Sequence, residues 1–247
     1  MPSNNLWFTR VLSLNSADCR GLPNRRCRTS LRLAAHSIGG FFLLALLVSV
    51  PATVSAQDSS NPAVMKQLSR FTDELKSFTA DFVQTVYDAD SNPIQESSGT
   101  VVLKRPGRFI WNYTVPTEQQ IIADGNSVWL YDIDLAQVTV NSLAEQSRGT
   151  PIALLMGGTA LQDEFSIRAL GAADGIEWVE LTPRDAGADF EQVYIGLNDA
   201  GLAALELRDS FGQATQIRFS NFKPDVALDE QMFRFTPPDG VDVIGAG

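Results

Sequence analysis

The stretch GTVVLKRPGRFIWNYTVPTEQQIIADGNSVWLYD, residues 99–132, decides the fold. Apolar residues recur with period two, and turn residues interrupt them at short intervals: Arg105-Pro106-Gly107, Pro116-Thr117 and Asp124-Gly125-Asn126. Alternation of this kind predicts strands over 97–104, 108–114, 119–123 and 127–133. Connections this short cannot carry a chain back to a parallel position, so the strands form an antiparallel meander.

The same reading extends outward. Upstream, 78–87 reads as a strand, and DADSNP (88–93) reads as its turn. Before it, Val64, Leu68, Phe71, Leu75 and Phe78 recur at spacings of four and three, which predicts an amphipathic helix over 62–76. Asn61 then Pro62 supply a helix start. Downstream, 137–143 is a further strand. The pattern breaks at 144–164, where Thr150-Pro151 precedes the apolar run 152–156, Gly157-Gly158 closes it, and 159–164 reads as another helical turn. Strands resume at 165–170, 176–183, 190–197, 202–209 and 214–222, and a helical turn is expected at 229–232. The sum is about eleven strands with little helix, in one domain.

Some strands have one wet face: Leu205 and Leu207 alternate with Glu206 and Arg208. Others are apolar on both parities, such as Phe109, Trp111 and Tyr113 against Ile110, or Val128 and Leu130 against Trp129 and Tyr131. One four-turn helix is scant cover for so many strands. A strongly curved sheet wrapped around the helix solves this, and leaves either a filled core or an apolar hollow; strand pattern does not distinguish them.

The chain has 247 residues and a formal net charge of −10, which disfavours nucleic-acid binding because phosphate contacts need clustered cations. Residues 38–50 are an uncharged apolar run, shorter than the roughly 20 residues of a membrane span. Arginines precede the run, and Val54-Ser55-Ala56 follows it, so 1–56 reads as a secretory signal peptide, over-long at its start and cleaved after Ala56. Residues 57–247 then hold 13 Lys/Arg against 28 Asp/Glu, with neither His nor Cys. That removes Ser-His and Cys-His nucleophile systems, His/Cys zinc sites and disulfides. No Gly-rich phosphate loop is present, and no cofactor is expected. Neighbouring carboxylates (Asp132/Asp134, Asp73/Glu74, Asp229/Glu230) sit beside turns or on an outer helix face, where acids ordinarily stand. The turn at 88–92 lacks the Gly and terminal Glu of a calcium loop. Lys104-Arg105 closes a strand. A guanidinium there is either a solvated strand end or, at the rim of a hollow, a donor to orphan carbonyls of a covering helix.

The stretches FTADFVQT (78–85), 99–132, TPIALLMGG (150–158) and FRFTPPDGVDVI (233–244) resemble, in order, the periplasmic outer-membrane lipoprotein carrier family. The missing Cys at the cleavage point separates the chain from the related lipoprotein receptor. The resemblance implies an unclosed antiparallel β-barrel of about eleven strands. Short helices form its lid, and it encloses a hydrophobic cavity for the acyl chains of lipoproteins. It implies Arg105 as a lid latch, with the carbonyls of Ile152 and Leu155 and, on the first lid helix, Phe71 as contacts. Phe109 falls at the entrance, and Trp111, Leu68, Leu103 and Leu154 are the expected apolar lining. The implied partners are lipoproteins as cargo, an inner-membrane ABC-type lipoprotein-releasing complex and an outer-membrane lipoprotein receptor. The implied state is a periplasmic monomer of a Gram-negative bacterium, with no enzymatic activity. A carrier or sensor for another amphiphile is the competing reading.

Overall fold

The alternation in 77–104 becomes two long antiparallel strands, β1 (Ser77–Tyr87) and β2 (Pro93–Lys104). Phe78, Ala80 and Phe82 of β1 and Val101 and Leu103 of β2 face inward. The computed structural model describes residues 62–146, 161–185, 187–188 and 190–245. The meander continues through β3 (Arg108–Val115), β4 (Gln119–Asp124), β5 (Ser127–Asp132) and β6 (Gln137–Ser142). After 143–164 come β7 (Phe165–Ala173), β8 (Ile176–Pro183), β9 (Phe190–Asn198), β10 (Gly201–Asp209) and β11 (Ala214–Pro224).

A twelfth strand, β12 (Asp242–Ile244), pairs parallel to β6 and was not expected; every other pairing is antiparallel. Three residues are too few to show a period, so only the neighbouring edge reveals β12 as a strand. The order is β12-β6-β5-β4-β3-β2-β1-β11-β10-β9-β8-β7, and its two ends are not paired, so the barrel is unclosed. The chain between β6 and β7 therefore joins opposite edges of one sheet. It begins as a short helix, α2 (Leu143–Gln146), and ends as α3 (Leu161–Glu164). The run 152–156, with Ile152, Leu154 and Leu155, lies outside the described residues, as do Asn61 and the leader.

Helix α1 (Pro62–Ser69) buries Val64 and Leu68 against the inner face and packs on β7, β8 and β9. The expected four-turn helix is shorter as an α-helix: residues Arg70–Glu74 widen into a π-helical turn. Thr72 Oγ1 donates to the Leu68 carbonyl at 3.0 Å, a back-bond of the kind that bends helices.

The strands that read apolar on both parities are covered on both faces. After β11 the chain straps across the outer face. Asp229 caps a 3-10 turn (Glu230–Phe233), as the sequence suggested, by accepting from the Gln231 N–H at 3.0 Å. Glu230 pairs with Lys104 at 3.2 Å, and the turn packs on β3 and β4. Phe233 is fully buried, and the Phe235 ring lies 5.7 Å from those of both Trp129 and Tyr131. The remaining outer face carries a polar ladder. Arg168, Glu180, Tyr194, Glu206 and Gln216 are successive cross-strand partners from β7 to β11, with Arg168 on Glu180 at 2.6 Å. Such pairs hold register where the pleat alone cannot.

Candidate functional site

Residues Arg105–Gly107 form the β2–β3 turn, at the end of the strands nearest α1. Gly107 takes a positive φ of 69°, which lets the chain reverse tightly, and a Cβ there would sit 3.2 Å from the Leu143 side chain. The Arg105 N–H donates to the Lys76 carbonyl at 2.8 Å, and this anchors the turn to the start of β1.

The π-helical turn creates the acceptors. The Leu75 N–H reaches five residues back to the Arg70 carbonyl at 2.9 Å, instead of four residues back to Phe71. It thereby leaves the Phe71 carbonyl for another donor. Arg105 Nη1 donates to that carbonyl and, at 2.9 Å, to the terminal carbonyl of Leu75. The guanidinium also lies 5.2 Å from the centroid of the Phe71 ring. Burial lowers the Arg105 pKa to about 10, while the nearby Asp73 carboxylate works in the opposite direction, so the side chain is a cation at neutral pH.

Beneath this tie the interior is aromatic. Phe71 lies 6.3 Å from Phe78, and Phe78 stacks on Phe222 at 4.9 Å. Further along, Phe82 packs on Trp111 at 4.7 Å and on Tyr113 at 5.2 Å, and the Tyr113 hydroxyl donates to Gln84 Oε1 at 3.0 Å. Two cavities flank α1. One, of about 210 Å³, is lined by Gln67, Phe71, Leu75, Leu197 and Phe222; the other, of about 370 Å³, by Met65, Leu68, Thr72, Leu161 and Ile167. Both fall in or below the size range of single small-ligand sites.

Of the residues singled out from sequence, Arg105 and Phe71 meet. Leu68, Leu103, Phe109 and Trp111 share one inner cluster and are all at most 3% exposed. Phe109 lies within that cluster at 2% exposure. Ile152, Leu154 and Leu155 fall outside the described residues. Sequence reasoning missed the Leu75 carbonyl and the Phe222 ring. Leu75 was visible only as one more apolar helix residue, because a π turn has no period of its own. Thr72, whose hydroxyl bonds back to the Leu68 carbonyl, is the local hint.

Among the described residues no set of three Asp or Glu side chains is placed to hold a metal ion. The 88–92 turn is organised by Asp88, which accepts from the Asp90 and Asn92 N–H groups at 3.0 and 2.8 Å.

A family model described as "Outer membrane lipoprotein carrier protein LolA" matches residues 73–236. The chain is 44% identical over 177 residues to an outer-membrane lipoprotein carrier protein of Methylococcus capsulatus, covering 72% of this chain and 85% of that one. It is 38% identical over 204 residues to the protein of that name from Neisseria gonorrhoeae, covering 83% and 96%. Among solved structures it is similar to a LolA-superfamily protein of Nitrosomonas europaea, with a TM-score of 0.43 and 14% identity over 70% of this chain and 97% of that one. With two thirds of its length matched by the family model, this chain belongs to the outer-membrane lipoprotein carrier protein family.

Proposed function

We propose that the chain is a periplasmic chaperone that buries the acyl chains of lipoproteins against the inner face of its sheet and delivers them to an outer-membrane receptor. It collects cargo from an inner-membrane ABC-type releasing complex, works as a monomer, and reaches the periplasm through a signal peptide cleaved after Ala56. Family membership supports the cargo class. The observation that carries the mechanism is the Arg105 tie, a charged fastening between the β2–β3 turn and the end of α1 in a contact that is otherwise apolar.

In this structure the inner face is covered by side chains of α1 and of the π-helical turn that follows it. Val64, Leu68 and Phe71 are each at most 4% exposed, and neither flanking cavity holds three acyl chains. Loading therefore lifts α1 and exchanges one set of apolar contacts for another. Acyl burial contributes about 0.8 kcal/mol per methylene. Opposing it is the loss of two hydrogen bonds from a charged donor, each about 1.5–3 kcal/mol. The tie makes the empty, closed form more favourable and so weakens net cargo binding. Cargo then passes to a tighter-binding acceptor without ATP. The family resemblance adds the carbonyls of Ile152 and Leu155 as acceptors for Arg105, and Phe109, Trp111, Leu103, Leu68 and Leu154 as the lining of the space that opens.

Arg105→Leu is the test. The variant keeps an apolar side chain at the position, loads lipoprotein, and accumulates as a loaded form that does not transfer. Mass spectrometry of the protein purified from the periplasm reads the load, and incubation with an outer-membrane acceptor reads the transfer. Transfer at the wild-type rate overturns the latch.

A further inference from the structure

The inner face does not end at the aromatic cluster. At the opposite end of the same strands, eight to ten residues of β2 and about 30 Å from Arg105, lies a groove of about 490 Å³ across the tips of β2–β5. Its walls carry Glu96, Asp132 and Asp134, and no Lys or Arg lines it. None of the three carboxylates has an ion-pair partner among the described residues; one oxygen of Asp132 accepts from the Leu135 N–H at 3.0 Å. On its rim Ile94, Val115 and Leu135 are 57%, 54% and 69% exposed. Gln119 also lines the groove. As a residue it is about nine-tenths buried, but its side-chain amide opens onto the groove and makes no hydrogen bond to the described residues.

We infer that this groove docks a polypeptide segment, carrying Lys or Arg between apolar side chains, from a protein that exchanges cargo with the carrier. The identity of the partner as a cargo-exchange protein rests on the carrier reading above; the chemistry of the groove does not. Each feature demands a different part of such a segment. A cation answers the uncompensated carboxylates, apolar side chains cover Ile94, Val115 and Leu135, and a peptide group supplies both donor and acceptor to the Gln119 amide. A metal ion does not fit, because no three of the acids converge. An acyl chain offers nothing to the carboxylates or the amide. An anionic membrane surface repels a chain whose residues 57–247 carry 28 acids against 13 bases, so the cation must come from a protein. With Arg105 at one end and this groove at the other, docking leaves the latch end free to open.

The test is a titration of the full carrier, followed by NMR, with two acetylated and amidated pentapeptides, Leu-Arg-Val-Arg-Leu and Leu-Glu-Val-Glu-Leu. The cationic peptide shifts the Gln119 side-chain amide and the Leu135 backbone signal, and the acidic peptide shifts neither. Glu96→Gln with Asp134→Asn, which spares the Asp132 turn bond, weakens the cationic peptide about tenfold (1.4 kcal/mol). Equal shifts from both peptides, shifts confined elsewhere, or unchanged affinity in the double variant each overturn the proposal. Uptake of a triacylated lipopeptide is measured on the same two proteins. Retained uptake by the double variant supports docking as separate from loading. Loss of uptake together with peptide binding overturns it. Failure of uptake in the unaltered protein removes the carrier reading and leaves the peptide result standing.

Discussion

Arg105 is where one side chain decides between two states. Its depressed pKa, near 10 because burial disfavours the cation, sets the sign of a pH test. Below about pH 10 both folded and unfolded chains hold the proton, and the folded protein carries the burial penalty. Only as pH rises through about 10 does the folded protein lose the proton, which relieves that penalty and removes the charge that strengthens the tie. Cargo release is therefore flat between about pH 6 and 9; a titration of the release rate in that window would assign the latch to a different group. A second single residue fixes a strand contact. A Cβ on Gly99 of β2 would lie 1.8 Å from the Asn112 carbonyl oxygen of β3, which is backbone and cannot step aside. Gly99→Ala destabilises the fold by about 1–3 kcal/mol in urea unfolding, with an undiminished stability arguing that β2 and β3 separate freely at that point.

Elements explain what side chains leave open. The β3–β5 strands were legible as apolar on both parities, but the covering agent was not, because the strap from 225 to 241 spaces its apolar residues (Val226, Leu228, Met232, Phe233, Phe235 and Val241) without a helical or strand period. Only the fold brings it over β3, β4 and β5. Its anchor is Phe233, fully buried on the face opposite the main cluster. Phe233→Ala costs about 3–5 kcal/mol of stability by calorimetry or denaturant unfolding, while Arg105 keeps its carbonyl partners because they lie on the inner face. The π turn at Arg70–Glu74 is the converse case. The 4-3-4-3 spacing marked a helix correctly, yet the carbonyls used by Arg105 exist because the last turn departs from that helix.

For the molecule as a whole, the unclosed sheet leaves two edges, and the three residues of β12 cover one of them. Ending the chain before Asp242 removes little buried area but bares β6. The expected outcome is a nearly unchanged melting temperature with increased self-association in light scattering; a monodisperse truncated protein would show that the β6 edge is protected by something else. Periodicity and turn chemistry by themselves determined eleven strands, their antiparallel pairing and the inner and outer faces, since those depend on neighbours along the chain, and composition left residues 57–247 without His or Cys. Motif resemblance pointed to Arg105 and Phe71. Tertiary structure alone decided the twelfth strand, the outer strap, the Leu75 acceptor and the spacing of Glu96, Asp132, Asp134 and Gln119 along one groove. Each of these joins segments far apart in sequence through a single contact or a short run. Such contacts arise from the curvature of the sheet, and no local pattern of residues encodes them.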